Sequence, residues 1–546
     1  MTTDFANDIP LTPLRFLQRS AEVFGDKTAI VHGTRTYTYG QFAAEAQKLA
    51  KVIKGRIRPG DRVAFLCPNI PELLIAHFAI PLAGGVLVAL NSRLTARELQ
   101  YILEHSESKL LFVDTELLCT AAGLDLEPTH LLDIVEVPDS TSTSAGFDTS
   151  RTPATVQYEH FLGDRVTSEA DLPWAIQDER TPIALNYTSG TTGKPKGVLY
   201  SHRGAYLNSI GETIHNQFNA DTRYLWTLPM FHCNGWCTTW AVTAVAGVHV
   251  CLRAVRPEGV WSAIDTQGIT HMCGAPTICS VIADAPQAHT VSAPLRITTA
   301  GSPPSPSIIT ALDSLGIGVT HVYGLTEVYG PYTICEYQDQ WDGLTAEERA
   351  VKISRQGVGM LQAETARIVD SAMNDVPADG ATLGEIVLRG NNVMIGYFKD
   401  PEATAEAFRG GWFHTGDLGV MHPDGYIQLK DRAKDIIISG GENISTIEVE
   451  QAIISHPDVT DVAVIGVPHD KWGERPVAFV VRSSTSTLTA EAVRTYAKAR
   501  IAGFKVPDKI LFTDELPHTS TGKTIKAQLR ALDISKSTEE LRTETS

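Results

Sequence analysis

A chain of 546 residues with 43% apolar and 20% charged side chains has the composition of a soluble globular protein, and its length asks for two or more domains. The formal charge of −17 argues against broad binding to nucleic acid or to an anionic membrane surface. The eight cysteines are scattered without a CxxC pair, which favours a reducing compartment over a disulfide framework; Cys233 and Cys237 beside His232 lack zinc-site spacing and read as buried thiols.

In chain order, the N-terminus Met1-Thr-Thr-Asp-Phe5 lacks the basic and apolar regions of a signal peptide. No apolar run is long enough to span a bilayer. The C-terminal Glu544-Thr-Ser546 is not the peroxisomal tripeptide, so the expected location is the cytoplasm. Residues 62–90 carry a βαβ pattern: Arg62–Cys67 as a strand, Pro71–Ala83 as a helix, Gly85–Leu90 as a second strand. Lys109–Val113 adds a buried strand, and residues 137–156, rich in Ser, Thr and Asp, read as a loop. Alternation of this kind runs to about residue 330 and predicts an α/β body with parallel sheets.

Within that body Pro182–Tyr187 and Gly197–Tyr200 are short strands, and Ser201 is an N-cap candidate for a helix over 203–214. Between the strands runs Tyr187-Thr-Ser-Gly-Thr-Thr-Gly-Lys-Pro-Lys-Gly197. Its glycines, the hydroxyls of Thr188, Ser189, Thr191 and Thr192, and the ammonium groups of Lys194 and Lys196 suit a polyphosphate. The spacing is not that of the Walker A loop: only two residues separate Gly190 from Gly193, and Pro195 follows Lys194.

Short β-like runs between 357 and 430, such as Gly384–Arg389, predict a smaller β-rich subdomain. The best domain boundary is near Asp431. Beyond it come a strand at Asp435–Ile438, a turn at Gly440-Gly441, and a helix opened by Ser445, with Glu448 three residues on in the pattern of a capping box. Strands at Val462–Gly466 and Val477–Val481 follow, then a helix from Thr489 to Arg500, together a small α+β unit of ordinary domain size. The expected domains are thus 1–430 and 431–546, with no internal repeat.

The 187–197 run resembles the signature of the adenylate-forming enzymes: acyl-CoA synthetases, adenylation units of peptide synthetases, and luciferase. Five further segments resemble that superfamily in its order. They are Pro229-Met-Phe-His-Cys-Asn-Gly-Trp236, Tyr323-Gly-Leu-Thr-Glu327, Thr415-Gly-Asp417, Asp431-Arg-Ala-Lys-Asp435 and Thr521-Gly-Lys523, so the resemblance covers roughly residues 30–530. It implies a large N-terminal domain of α/β layers with a β-rich subdomain, and a small mobile α+β C-terminal domain that turns about Asp431. ATP, magnesium and CoA are implied with it.

The resemblance makes Thr188 through Gly193, Lys194 and Lys196 the phosphate loop, and Lys523 the lysine that bridges acid and phosphate. Glu327 becomes the magnesium ligand and Thr326 a donor to the α-phosphate. Gly301-Ser302-Pro303, Tyr323 and Gly324 would face adenine. His321 stands where the family often has Asn or Asp reading the purine amino group, a bond a neutral imidazole can also accept. Asp417 and Arg432 would hold the ribose, Lys434 belongs to the hinge segment, and Ser439-Gly440-Gly441-Glu442 would line a pantetheine channel.

The 231–237 run is closest to fatty acyl-CoA synthetases and methylmercaptopropionate-CoA ligases, with His232, Trp236, Gly301, Tyr329, Gly330 and Pro331 around the acid. None of these is a cation, so an apolar, fatty-acid-like monocarboxylate is expected. The implied reaction is acid plus ATP to acyl-AMP and pyrophosphate, then transfer to CoA. Alternatives are an enzyme loading the phosphopantetheine of a carrier protein, a luciferase-like oxygenase, and a nucleotide-binding regulator without catalysis. A homodimer is compatible with the family, and no nucleic-acid partner is expected.

Overall fold

A computed structural model describes residues 7–142, 155–163, 170–188, 194–440, 442–469, 471–483, 486–518 and 524–532. The βαβ unit read from sequence is present: strand Arg62–Leu66, helix Pro71–Leu82 and strand Val86–Ala89, the strands parallel. Proline starts the helix where its missing N–H costs nothing. The helix is apolar nearly all round, and every one of its residues is buried, as such a helix must be.

The large N-terminal domain is built on an eight-stranded and a nine-stranded sheet, with a four-stranded antiparallel sheet at residues 367–432 as the expected β-rich unit. In the first sheet the parallel core ends at Pro182–Tyr187, which pairs antiparallel with Gly197–Ser201, so the polar run bridges a hairpin at the sheet's edge region. In the second, strands His271–Gly274, Leu295–Thr299 and Ile317–Leu325 are parallel neighbours, and Gly330–Ile334 turns back antiparallel. Ser201 caps helix His202–His215 by accepting from the Gly204 amide. No helix among the described residues is long and apolar enough to cross a membrane.

The smaller C-terminal domain holds a five-stranded sheet with helices Thr446–Ile454 and Ala490–Lys498. Three expectations need correction here. The strand placed at 435–438 is Ile437–Ser439, because Asp435 and Ile436 close a turn on the Arg432 carbonyl. The two later strands are longer, Val459–His469 and Gly473–Arg482, since they zip into one hairpin. The capping box at Ser445 is half formed: Ser445 accepts from the Glu448 amide, but the Glu448 carboxylate goes to Lys505 at 2.7 Å.

The carboxyl ends of the two parallel sheets meet. Asn69, past the end of strand Arg62–Leu66, donates to the carbonyls of Trp226 and Leu228 and accepts from the Met230 amide. Arg253, past the end of strand Val248–Cys251, pairs with Asp114, Glu116 and Asp139 at 2.5, 2.6 and 2.8 Å. Asp114 and Asp139 are buried, and His32 is the further partner of Asp139 at 3.1 Å. Removing one member of a buried ion network strands the other charges. Arg253→Ala should therefore lower the stability of the N-terminal domain by about 3 kcal/mol, read as an earlier first transition in urea; a shift within 0.5 kcal/mol, roughly what a surface change gives, would contradict the rivet.

Candidate active site

The stem of the glycine-rich hairpin is closed by its own backbone. The Thr188 amide donates to the Lys196 carbonyl, and the Lys196 amide donates to Thr188 Oγ1 at 3.1 Å. The tip, Ser189 to Gly193, lies outside the described residues. Lys194 and Lys196 are exposed, their ammonium groups 5.3 Å above the Tyr101 ring and 4.5 Å above the Tyr397 ring. Tyr397 also donates to Glu327 Oε1 at 3.0 Å, so one tyrosine aligns the hairpin's lysine with the acid of the Thr326-Glu327 pair. The Thr326 carbonyl accepts from Tyr200 at 2.6 Å, and Tyr200 stacks on Tyr329 with centroids 3.6 Å apart.

Asp417 and Tyr323 come together from two different sheets of the N-terminal domain. The Tyr323 hydroxyl donates to Asp417 Oδ2 at 2.7 Å, and Arg432 Nε lies 3.1 Å from Oδ1. That guanidinium is close but not aimed as a hydrogen bond, so Oδ1 stays without one on a residue only 2% exposed. An acceptor left in this state suits a diol donor. Gly301 is exposed with φ +96°, and a Cβ there would meet nothing within 4 Å, while Ser302 beside it is also exposed. This open backbone strip follows strand Leu295–Thr299.

His321 is buried and its Nδ1 faces the Arg355 carbonyl at 2.9 Å. Burial lowers its pKa to about 4, so the ring is neutral at pH 7. Donation from Nδ1 leaves Nε2 as an acceptor.

Residues Cys233 to Cys237 all have left-handed backbone angles, φ from 44° to 61°. Only Gly235 does so without penalty; each of the other four costs about 1–2 kcal/mol. Surrounding contacts impose the shape. Asn234 Nδ2 donates to His77 Nε2 at 3.1 Å, while His77 Nδ1 donates to the Leu73 carbonyl. Gly235 lies against the Trp226 ring, where a Cβ would stand 2.6 Å from it. Trp236 lies against Gly330, whose missing Cβ would be 3.0–3.3 Å from the tryptophan. Tyr329, Gly330 and Pro331 are buried beside it. Burial holds His232 neutral, with pKa lowered to about 4, and pushes the Cys233 thiol up to about 12, so neither is charged at pH 7.

Asp431 is 2% exposed, and its carboxylate caps the first turn of helix Thr446–Ile454. It accepts from the Thr446 amide and hydroxyl and from the Arg432 amide. Burial raises its pKa; Lys526 and the Thr446 bonds oppose the rise. Lys526 pairs with the half-buried Glu450 at 2.8 Å and touches the Thr446 hydroxyl. Lys523 and Gly441 lie outside the described residues. Gly440 has φ +61° under the Trp472 ring, and Lys434 and Glu442 are exposed.

Sequence reasoning missed Tyr200, Tyr397 and Asn208, which hold Thr326, Glu327 and Tyr329 in place. Tyr397 sits on a two-residue strand, too short for any periodic signal. Only the long-range pairing of that strand with Gly197–Ser201 brings it here.

The family described as AMP-binding enzyme matches residues 17–398, and the AMP-binding enzyme C-terminal domain matches residues 448–523. An acetate–CoA ligase of Humulus lupulus is 42% identical, over 96% of this chain and 95% of its own. A peroxisomal trans-cinnamate:CoA ligase of Petunia hybrida is 40% identical over the same shares. Among solved structures, ATP-bound MatB from Rhodopseudomonas palustris superposes with a TM-score of 0.81 at 27% identity, covering 96% of this chain and 100% of that one.

Gly324 offers a test of the site's backbone. A Cβ there would lie 1.8 Å from the Gly330 carbonyl oxygen, which is backbone and cannot step aside. Gly324→Ala should cost at least ~1–3 kcal/mol through overpacking and abolish nucleotide-dependent thermal stabilisation; a variant as stable as the parent would mean the hairpin is looser than drawn.

Proposed function

The chain belongs to the AMP-binding enzyme family and is an acid–thiol ligase, and we propose that it activates a monocarboxylic acid with ATP as acyl-AMP, releases pyrophosphate, and passes the acyl group to the thiol of CoA. The observation that supports the reading is that Tyr397 joins the stem lysine Lys196 to Glu327, while Tyr323 and Arg432 hold Asp417. These come from strand-end loops of both sheets and from the β-rich unit, the place where open α/β folds take nucleotides.

In this reading the hairpin 187–197 wraps the triphosphate with amides, hydroxyls and lysines. Asp417 accepts from the ribose diol through Oδ1, the atom without a hydrogen bond, while Tyr323 and Arg432 hold it in place. The purine lies along Gly301-Ser302-Pro303, with His321 Nε2 as acceptor. Among the described residues no three His, Cys, Asp or Glu side chains cluster as a metal cage. A magnesium ion would be held by Glu327 together with phosphate oxygens, a hard cation's preference. When bound, the ion supplies neutralisation of the phosphate charge.

The attacking carboxylate and the α-phosphate repel one another, so the barrier is largely electrostatic and positional. Lys523, delivered by the C-terminal domain, spans the two anions, and Thr326 donates to the phosphate. His232 and Cys233, both neutral, set no charge against the acid. Trp236, Tyr329, Gly330 and Pro331 form an apolar wall for the segment next to the carboxylate, which suits short, fatty-acid-like or aryl acids. Relatives named for acetate and trans-cinnamate support this range.

For the second half-reaction the C-terminal domain turns about Asp431 and presents Ser439-Gly440-Gly441-Glu442 to the pantetheine arm. The support is that Asp431 is the last residue but one of the β-rich unit's strand Ile427–Arg432 and at the same time bonds the first turn of the first C-terminal helix. All eight cysteines are free, which suits a reducing compartment such as the cytosol.

The test is a pyrophosphate-release screen over C2–C18, aryl and thioether acids with and without CoA, with mass detection of the thioester. CoA-independent rate and product would instead favour a carrier-protein acceptor. Lys523→Ala should slow acyl-AMP formation ~10²–10³-fold while leaving ATP binding intact; unchanged adenylation overturns the mechanism. Asp431→Pro should spare acyl-AMP formation and impair thioester formation, and equal loss in both half-reactions would remove Asp431 as the pivot.

A further inference from the structure

Helix His202–His215 buries an unexpected face. Asn208, Glu212 and Asn216 at its end recur every four residues, so they form one stripe, and all three are buried. A helix covering a sheet normally offers apolar side chains there. Glu212 is 1% exposed. Its Oε2 accepts from Asn216 Nδ2 at 2.7 Å, and the Asn216 carbonyl oxygen accepts from Thr298 at 2.6 Å. Asn208 donates to the Tyr329 carbonyl and accepts from Gln362 Nε2 at 2.7 Å. Gln362 packs over Gly211 of the same helix, in space that any larger residue would fill.

This stripe is continuous with the acyl wall. Asn208 bonds Tyr329 and Cys237, the latter next to Trp236, and Thr298 lies three residues before Gly301 on the same chain segment. Three oxygens of the group, Glu212 Oε1, Gln362 Oε1 and the Tyr329 hydroxyl, have no protein hydrogen-bond partner although each is buried. Buried polar atoms are nearly always paired, and three unpaired ones from three separate chain segments leave a place for a polar partner that the protein does not itself supply.

We propose that this group is the floor of the acyl pocket and that the acid activated here carries an uncharged oxygen function, hydroxyl or carbonyl, at the end remote from its carboxylate. The inference rests on the acyl-CoA ligase reading and narrows its substrate. Burial pushes the Glu212 carboxyl up to about 8, only partly opposed by Asn216, so it is protonated at pH 7. The groups facing it, Tyr224, Cys237 and Cys273, are themselves held neutral by burial, and none is a cation. With Oε2 occupied as acceptor, the proton sits on Oε1, which donates; Gln362 Oε1 accepts. A hydroxyl can accept from the first or donate to the second and a ketone can accept from the first, whereas a methyl end leaves both unpaired.

The test compares kcat/KM for matched acids: C4–C8 alkanoates against their ω-hydroxy and (ω−1)-oxo counterparts, and cinnamate against its para-hydroxy form. The ratio is read on whichever backbone is turned over fastest. The parent should prefer the oxygenated member about 10- to 100-fold, the range expected when a buried polar group is otherwise unsatisfied. Glu212→Leu should erase the preference, mostly through KM and by improving the plain acid, and Glu212→Gln should keep part of it. A parent that uses the plain acid equally well overturns the proposal even if Glu212→Leu fails to fold, and leaves the stripe as a purely structural network. If no acid supports CoA-dependent AMP formation, it is the ligase reading that has failed.

Discussion

The site depends on two parallel sheets being held carboxyl end to carboxyl end. Strand-end loops are where a rigid scaffold can vary its chemistry without disturbing its core, but two sheets must be fixed together before their loops can share one ligand. Asn69 makes three side-chain hydrogen bonds to backbone of the facing sheet, and Arg253 neutralises carboxylates at the ends of two strands of the other. Backbone amides and a guanidinium are directional, so they fix register as well as distance. The Thr326-Glu327 pair, the Gly301 strip and the hairpin at 187–197 inherit their mutual placement from these joints.

Against that rigid joint stands a strained one. Five successive left-handed residues at 233–237 would not persist in an isolated chain; four lack the freedom of glycine. The strain is over-determined by the Asn234–His77 bond, by Trp226 under Gly235 and by Trp236 against Gly330. The reward is geometric. In this shape Cys233 reaches Thr326 while Trp236 meets the wall at Gly330. Strained backbone at a site of chemistry is a recurrent use of stability that the rest of a fold supplies.

Much of this was legible in the residues, and the exceptions have physical reasons. The βαβ unit at 62–90, the strand pair around the polar run and the Ser201 cap carry local signals, apolar runs, Pro and a hydroxyl at the right offset, and the structure has them within a residue or two. Asp435–Ile438 failed as a strand because the bond from the Ile436 amide to the Arg432 carbonyl outcompeted sheet pairing. The Ser445 box stayed half made because Lys505, distant in sequence, took the Glu448 carboxylate. Tyr397 and Tyr200 were invisible because their partners are 70 and 126 residues away. Lys523, the Ser189–Gly193 tip and Gly441 lie outside the described residues, and their roles rest on motif resemblance.

The helix stripe at Asn208, Glu212 and Asn216 gave no signal in the sequence, where polar residues on a helix look like a solvent face. Their burial bears on catalysis as well as selectivity. A contact made equally in ground and transition states lowers KM without raising kcat, yet binding energy from a remote group can be used to desolvate and orient the reacting one. An acid anchored by its far end against Glu212 and Gln362 has its length fixed, so its carboxylate is presented at one depth beneath Trp236 and Thr326. In a cleft whose neighbouring His232 and Cys233 are uncharged, that positioning would do for the acid what the proposed reading assigns to Asp417 and Arg432 for the nucleotide. The two anions are then aligned before any cation arrives between them.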